Sequence, residues 1–228
     1  MSVKLEPPFL LATFAAPHRV LSWSMLRPGF QTAHRVAWLE IRNRDLPPDV
    51  DAGQVIRERV GRAGLDDAVV FVTSRDIRRH HLERVSVEGE RATCLTTVGL
   101  SNSERVGIRL HQPPPVAGTI NTLVQVSRPL SEAALIEALS IATEARTTAV
   151  LDSGERRKGV AVTGTGTDCI AIAAPVGDDA AAFAGKHTAI GECIGAAAYK
   201  ATADGIRVWQ ADFAALLARG NKQLAEPT

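Results

Sequence analysis

The chain has 228 residues, 45% of them hydrophobic, which is enough apolar material for one ordinary globular domain with a sizeable core. Its 26 Lys and Arg residues nearly balance 25 Asp and Glu residues, so the formal charge of +1 supplies no global field for nucleic acid or an acidic membrane. Cys94, Cys169 and Cys193 are odd in number and widely separated, with no C-x-x-C spacing, so buried free thiols are expected rather than a disulfide framework or a structural zinc site.

From the start of the chain, the apolar piece Phe9 to Ala16 is too short to cross a bilayer and follows Glu6-Pro7-Pro8 rather than a basic leader, which points to a cytoplasmic protein. Apolar and polar residues alternate through Arg19 to Trp23 and His34 to Ile41, as in strands with one buried face. Asp51 and Gln54 have capping-box spacing, flanked by Val50 and Val55 as a hydrophobic staple. A helix is therefore predicted from about Ala52 to Ala63, with Gly64 placed to end it. Strands are predicted at Ala68 to Val72, Leu82 to Val87, Arg91 to Val98 and Thr119 to Ser127. Pro113-Pro114-Pro115 reads as a stiff extended connection before Gly118.

A second helix begins after Pro129, with Ser131 as cap, Leu130 and Leu135 as staple and Glu132 at the positive end of the dipole, and runs to about Leu151. Ala134, Ala138, Ala142, Ala145 and Ala149 fall within one arc, a small-residue stripe that lets this helix lie close against a sheet. Asp152 to Gly159 reads as a surface loop and Cys169 to Ala174 as a strand. A last helical region runs from near Thr188 to Arg219, with a break around Gly205. Strands in succession followed by separate helices favour an α+β fold, a mixed or largely antiparallel sheet packed against about three main helices. The expectation is a single-domain sandwich over residues 1–228, ending in a disordered or loosely packed tail from about residue 220. A homodimer is the base-rate expectation.

Four clusters place small residues beside short polar ones at predicted element ends, where backbone amides and side-chain oxygens can converge on a ligand. They are Gly99-Leu100-Ser101-Asn102, Gly118-Thr119-Ile120-Asn121, Gly164-Thr165-Gly166-Thr167-Asp168, and Gly185-Lys186-His187-Thr188 with Glu192. Glycine permits close backbone approach, threonine supplies a hydroxyl, and asparagine supplies an uncharged donor and acceptor. That chemistry suits polar recognition and an amide reaction.

Taken in order, with Arg19-Val20-Leu21-Ser22, Val72-Thr73-Ser74-Arg75-Asp76 and Ala142-Thr143-Glu144-Ala145-Arg146, these clusters resemble the successive motifs of the adenosylcobinamide amidohydrolase (CbiZ) family from about Arg19 to about Tyr199. The resemblance implies hydrolysis of the amide linking aminopropanol to the corrin ring of adenosylcobinamide, giving adenosylcobyric acid for cobamide salvage. It implies a corrinoid substrate that carries its own cobalt. No cofactor or metal held by protein ligands is expected. The chain departs from the family pattern at Met25-Leu26-Arg27-Pro28-Gly29, where paired glycines are usual, and at Arg146, where a lysine is common.

Amide hydrolysis needs an activated water, a stabiliser for the tetrahedral oxyanion and an acid for the leaving amine. Asp168 and Glu144 are the first candidates for the base, Glu192 is a second acid or base, and His187 is a proton donor just before a predicted helix. Ser101, Asn102, Thr119, Asn121, Thr165, Thr167, Lys186 and Thr188 are the candidate substrate-binding residues. Each has a structural alternative. Glu144 falls on the side of Glu137 and Thr148, away from the alanine arc, where a solvated carboxylate is ordinary. Asp168, both asparagines and both threonines of the Gly-Thr-Gly-Thr run suit turns, and Lys186-His187-Thr188 suits a solvated helix entrance. Adjacent His80-His81 diverge too far to share a metal. Two other readings compete: a non-catalytic corrinoid- or anion-binding protein, and a self-processing N-terminal-nucleophile amidase, since Thr119 and Thr165 each follow a glycine.

Overall fold

The computed structural model describes residues 1–42, 45–46, 50–108 and 118–225, with side chains as far as residue 218. The connection at Pro113-Pro114-Pro115 lies outside the described residues, as do the side chains of the tail expected from about residue 220.

The chain opens with strands β1 (Ser2–Glu6), β2 (Phe9–Ser22) and β3 (Gly29–Glu40), followed by helix α1 (Ala52–Arg62) and strand β4 (Val69–Thr73). Strands β5 (His80–Val87), β6 (Glu90–Val98), β7 (Ser103–Glu104) and β8 (Ile120–Val126) lead to helix α2 (Glu132–Asp152). Short strands β9 (Arg156–Arg157), β10 (Val160–Ala161) and β11 (Gly164–Thr165) precede β12 (Cys169–Pro175), and helix α3 (Ala189–Ala225) closes the fold. The fold class is α+β, as expected. The sheet is mixed, in the order β4-β3-β2-β12-β8-β6-β5, with β1 added beside β2. The β3–β4 and β8–β12 pairs are parallel and the others antiparallel.

Local chemistry explains the helix starts. Asp51 accepts hydrogen bonds from the backbone N–H of Gly53 and Gln54, and Ser131 accepts one from Ala134, so each cap satisfies amides that the first turn leaves free. The Gln54 side chain donates to Glu58 instead of turning back to its cap. Gly64 has φ +63 and takes the left-handed position just past α1. The apolar piece from Phe9 is the front of β2, whose register against β3 shifts between Thr13 and His18. Pro17 sits in that irregularity, where its missing N–H costs no ladder bond.

The sheet curls back on itself. Trp38 Nε1 on β3 donates to the Asn121 carbonyl on β8 (3.4 Å), and Asn121 Nδ2 donates to the Val72 carbonyl on β4 (2.8 Å), although β3 and β4 are not neighbours of β8 in the sheet. Inside the curl lies a core containing Leu10, Val36, Trp38, Phe71, Leu95, Leu123 and Ala171, with the Trp38 and Phe71 rings edge to face at 4.9 Å. Outside it, α1 covers Leu39 and Val70 with Ile56 and Val60, while α2 and α3 cover Ile170, Ile172 and Val124. Ala134, Ala138, Ala142 and Ala149 are buried and Ala145 partly so, with α2 lying beside α3 and β12. Helix α3 runs through Gly205 without a break. Among the described residues, no helix is long and apolar enough to cross a membrane.

His18 is buried at the β2 irregularity, stacked on Phe14 at 4.1 Å, with Nδ1 against the Ala16 carbonyl and Nε2 against Gln125 Nε2. Burial pulls its pKa below the ordinary 6.5. A histidine held neutral in the folded state takes up its proton more readily when unfolded. Its contribution is therefore complete above pH 6.5 and is lost as the pH falls below that value. Urea denaturation between pH 7.5 and 5.5 should show falling stability on acidification, with a shallower slope in His18→Gln. An unchanged slope would remove His18 from the pH response.

Candidate functional site

At the open end of the curl lies a cleft of about 780 Å³. Ile41, Leu46, Phe71, Val72, Trp23 and Met25 form its apolar wall, and Thr73, Ser74, Thr119, Asn121, Thr167 and Asp168 its polar side. A second cleft of about 690 Å³ adjoins it and shares Trp23 and Asp168; Glu104, Thr143, Arg146, Thr147 and Thr165 are among its lining residues. Pockets of this volume at the mouth of a curled sheet are ordinary small-molecule sites.

Asp168 joins three parts of the chain. One carboxylate oxygen accepts from the Ile120 N–H at the start of β8 (2.9 Å) and from the Thr165 hydroxyl. The other accepts from the Thr165 N–H (2.9 Å) and from Arg146 Nη1 on α2. Its side chain is 6% exposed and that of Arg146 is 11%. Burial pushes the Asp168 carboxyl above its ordinary value, while Arg146 and the Thr165 and Ile120 donors pull against that shift. Two backbone N–H groups, a guanidinium and a hydroxyl thus converge on the carboxyl group, and of these only the Thr165 hydroxyl can also accept.

Hydrogen bonds knit the rest of this end together. Thr119 Oγ1 donates to the Thr167 carbonyl (2.9 Å), Thr167 Oγ1 donates to the Gly118 carbonyl (3.1 Å), and Trp23 Nε1 donates to the Asp168 carbonyl (2.8 Å). A methyl group at Gly118 would lie 2.7 Å from the Ser101 nitrogen and 2.9 Å from the Gly99 carbonyl, so the two Gly-led turns pack backbone to backbone as only glycine allows. All three cysteines are free and buried. Cys169 lines the larger cleft with its thiol pushed up to about 12 by burial, so it is no thiolate nucleophile at neutral pH.

Of the residues singled out from sequence, Thr119, Asn121, Thr167 and Asp168 line the larger cleft and Thr165 and Asp168 the second. Ser101 and Asn102 stand behind Gly118, with Asn102 Oδ1 buried and unpartnered. The remaining candidates lie elsewhere. Glu144 is exposed and pairs with Lys186 at 2.7 Å, in a groove between α2 and α3 that also holds Glu192. Thr188 accepts from the Gly191 N–H (3.0 Å) and so caps α3, while His187 beside it is exposed. Residues the sequence reading passed over are Trp23, Glu104 and Ser74 as lining groups and Arg146 as the partner of Asp168. Arg146 had been visible only as a departure from a motif; its position one turn before the buried Ala149 was the available signal. Among the described residues, no group of three or more His, Cys, Asp or Glu side chains is arranged to hold a metal ion.

The fold and its paired clefts define an α+β protein with a polar-rimmed, apolar-walled site at the open end of a curled sheet. The chain belongs to the adenosylcobinamide amidohydrolase (CbiZ) family, whose model matches residues 1–213. By family it is an amidohydrolase. No individual curated protein matches the chain.

Proposed function

We propose that the protein hydrolyses the amide linking aminopropanol to the corrin ring of adenosylcobinamide, releasing the amine and adenosylcobyric acid. The cobalt enters with the substrate, and no metal or cofactor of the protein's own takes part. The observation that carries this reading, beside family membership, is the pair of adjoining clefts with an exposed indole at their junction. A corrinoid has broad apolar ring faces and a rim of amide arms. The wall of Ile41, Phe71 and Met25 suits the ring, and the hydroxyls of Thr73, Ser74 and Thr167 suit the arms. Trp23 is 47% exposed and fixed by its bond to the Asp168 carbonyl, which leaves a ring face for stacking at little cost in side-chain entropy. The amide to be cut then lies across the Trp23–Asp168 divide, with its leaving arm in the second cleft.

Asp168 holds the site together by fixing β8, the Thr165 loop and α2 in one arrangement. The Arg146 guanidinium, which lines the second cleft, supplies positive charge near the carbonyl oxygen as the tetrahedral oxyanion forms. Incubation of the purified protein with adenosylcobinamide should yield a corrinoid acid and free aminopropanol by mass spectrometry, and Trp23→Ala should raise KM about tenfold or more, as loss of one aromatic stacking contact implies. Corrinoid bound but recovered intact across a range of pH would leave a binding protein in place of an enzyme.

A further inference from the structure

Only two carboxylates line the described walls of the paired clefts, Asp168 and Glu104, and no histidine does. Both oxygens of Asp168 are filled by donors. Glu104 is the opposite case. Its backbone is fixed in the β7–β11 ladder, where it pairs with Gly164, and its carbonyl accepts from the Thr163 N–H at 2.8 Å. Its carboxylate makes no hydrogen bond or ion pair with any described residue. That carboxylate stands over Gly166, close enough that a methyl there would come within 3.2 Å of Oε1. On the same cleft wall Arg146 presents a guanidinium whose Nε is buried and unpartnered. A carboxylate unpaired among the described residues, on a fixed backbone and facing a cleft whose lining also carries a cation, is free to take a proton as a general base must.

We propose that Glu104 is the acid–base residue of the amide hydrolysis, working from the second cleft on the leaving-arm side of the scissile bond; this rests on the corrinoid-amidase reading above. The Glu104 carboxylate takes a proton from water as the water oxygen bonds to the amide carbon, and the carbonyl oxygen gathers the negative charge. When the tetrahedral intermediate collapses, the C–N bond breaks and the proton passes from Glu104 to the departing nitrogen. One water is consumed, a carboxylic acid and a primary amine are released, and Glu104 returns to its starting form. The same cleft then receives a short amino alcohol, whose nitrogen meets Glu104 and whose hydroxyl has Thr147 within the same lining.

The test compares wild type with Glu104→Gln in the full chain. Release of aminopropanol from adenosylcobinamide is followed by mass spectrometry, corrinoid binding by tryptophan quenching, and folding by thermal melts. We expect Glu104→Gln to lose about 10²–10⁴-fold in kcat, to bind the corrinoid within about threefold of wild type, and to melt at the same temperature. The acidic limb of the wild-type pH–kcat profile should vanish in the variant, and formate should restore part of the rate in Glu104→Ala, which a purely structural role would not produce. A Glu104→Gln enzyme with wild-type kcat and pH profile overturns the assignment while leaving the corrinoid reading standing. Wild-type protein that leaves adenosylcobinamide intact overturns the corrinoid reading itself, and the role of Glu104 with it.

Discussion

Asp168→Asn should lower the unfolding free energy by about 3–5 kcal/mol, the usual cost of leaving one member of a buried ion pair alone. In a chain of this size, each kcal/mol corresponds to about 2–4 °C in Tm. The loss follows from the donors that surround position 168. Ile120 N–H and the Thr165 hydroxyl point at one oxygen, and Thr165 N–H and Arg146 Nη1 at the other. An amide has one acceptor oxygen and one donor nitrogen, so its NH₂ faces either the Thr165 N–H and Arg146 or the Ile120 N–H, with only the Thr165 hydroxyl able to turn and accept from it. Arg146 would also keep its charge in a setting where its side chain is 11% exposed. Urea denaturation of Asp168→Asn, Arg146→Met and the double variant Arg146→Met/Asp168→Leu forms the check, with the double variant expected to recover only the part of the loss due to the lone charge, since the Ile120 and Thr165 N–H groups still lack an acceptor. A carboxylate serving only as a base would behave otherwise, losing turnover in a protein of wild-type stability. A loss under about 1 kcal/mol in Asp168→Asn would contradict the structural role argued above.

Features legible in the sequence were those fixed by neighbours along the chain. Asp51 and Ser131 announce their helices because a cap acts within three residues, and the β-branched runs of β4, β6 and β8 mark buried strands. β2 was less legible because Pro7 and Pro8 precede it and Pro17 falls within it, and β1 because it is short, charged and mostly exposed. In the site, the Gly118-Thr119-Ile120-Asn121 and Gly164-Thr165-Gly166-Thr167-Asp168 runs, legible as turns from local composition, do line the clefts. Which acid would face the clefts was not legible. Glu104 lies in a two-residue strand with no periodicity to read, and its place is set by pairing with Gly164, sixty positions along the chain. Glu144 was read correctly as lying off the alanine arc, yet only the fold shows that this side meets Lys186 and α3, while Thr143 and Arg146 on the same helix meet the second cleft.

Gly205 separates a local rule from the tertiary contact that overrides it. In an exposed helix, glycine to alanine gains up to about 1 kcal/mol, because alanine loses less backbone freedom on folding. Position 205 is not exposed. A methyl there would lie 2.9 Å from Val98 Cβ and 3.2 Å from His81 Cδ2, and closer still to a Val98 methyl, so glycine marks where α3 rests on β5 and β6 rather than where it breaks. Overpacking of this kind costs about 1–3 kcal/mol. Gly205→Ala should therefore destabilise the protein by about 1–2 kcal/mol despite the gain in helix propensity. Val98→Ala in the same chain should relieve part of the cost by making room for the methyl. The displacement would also reach the site, since Val98 is followed by Gly99, whose N–H bonds the Thr119 carbonyl beneath the larger cleft (2.9 Å). Denaturation of the single and double variants, with helix content followed by circular dichroism, reads the result. Stabilisation by Gly205→Ala would show that β6 yields to the helix, and that the spacing between the two does not position Thr119.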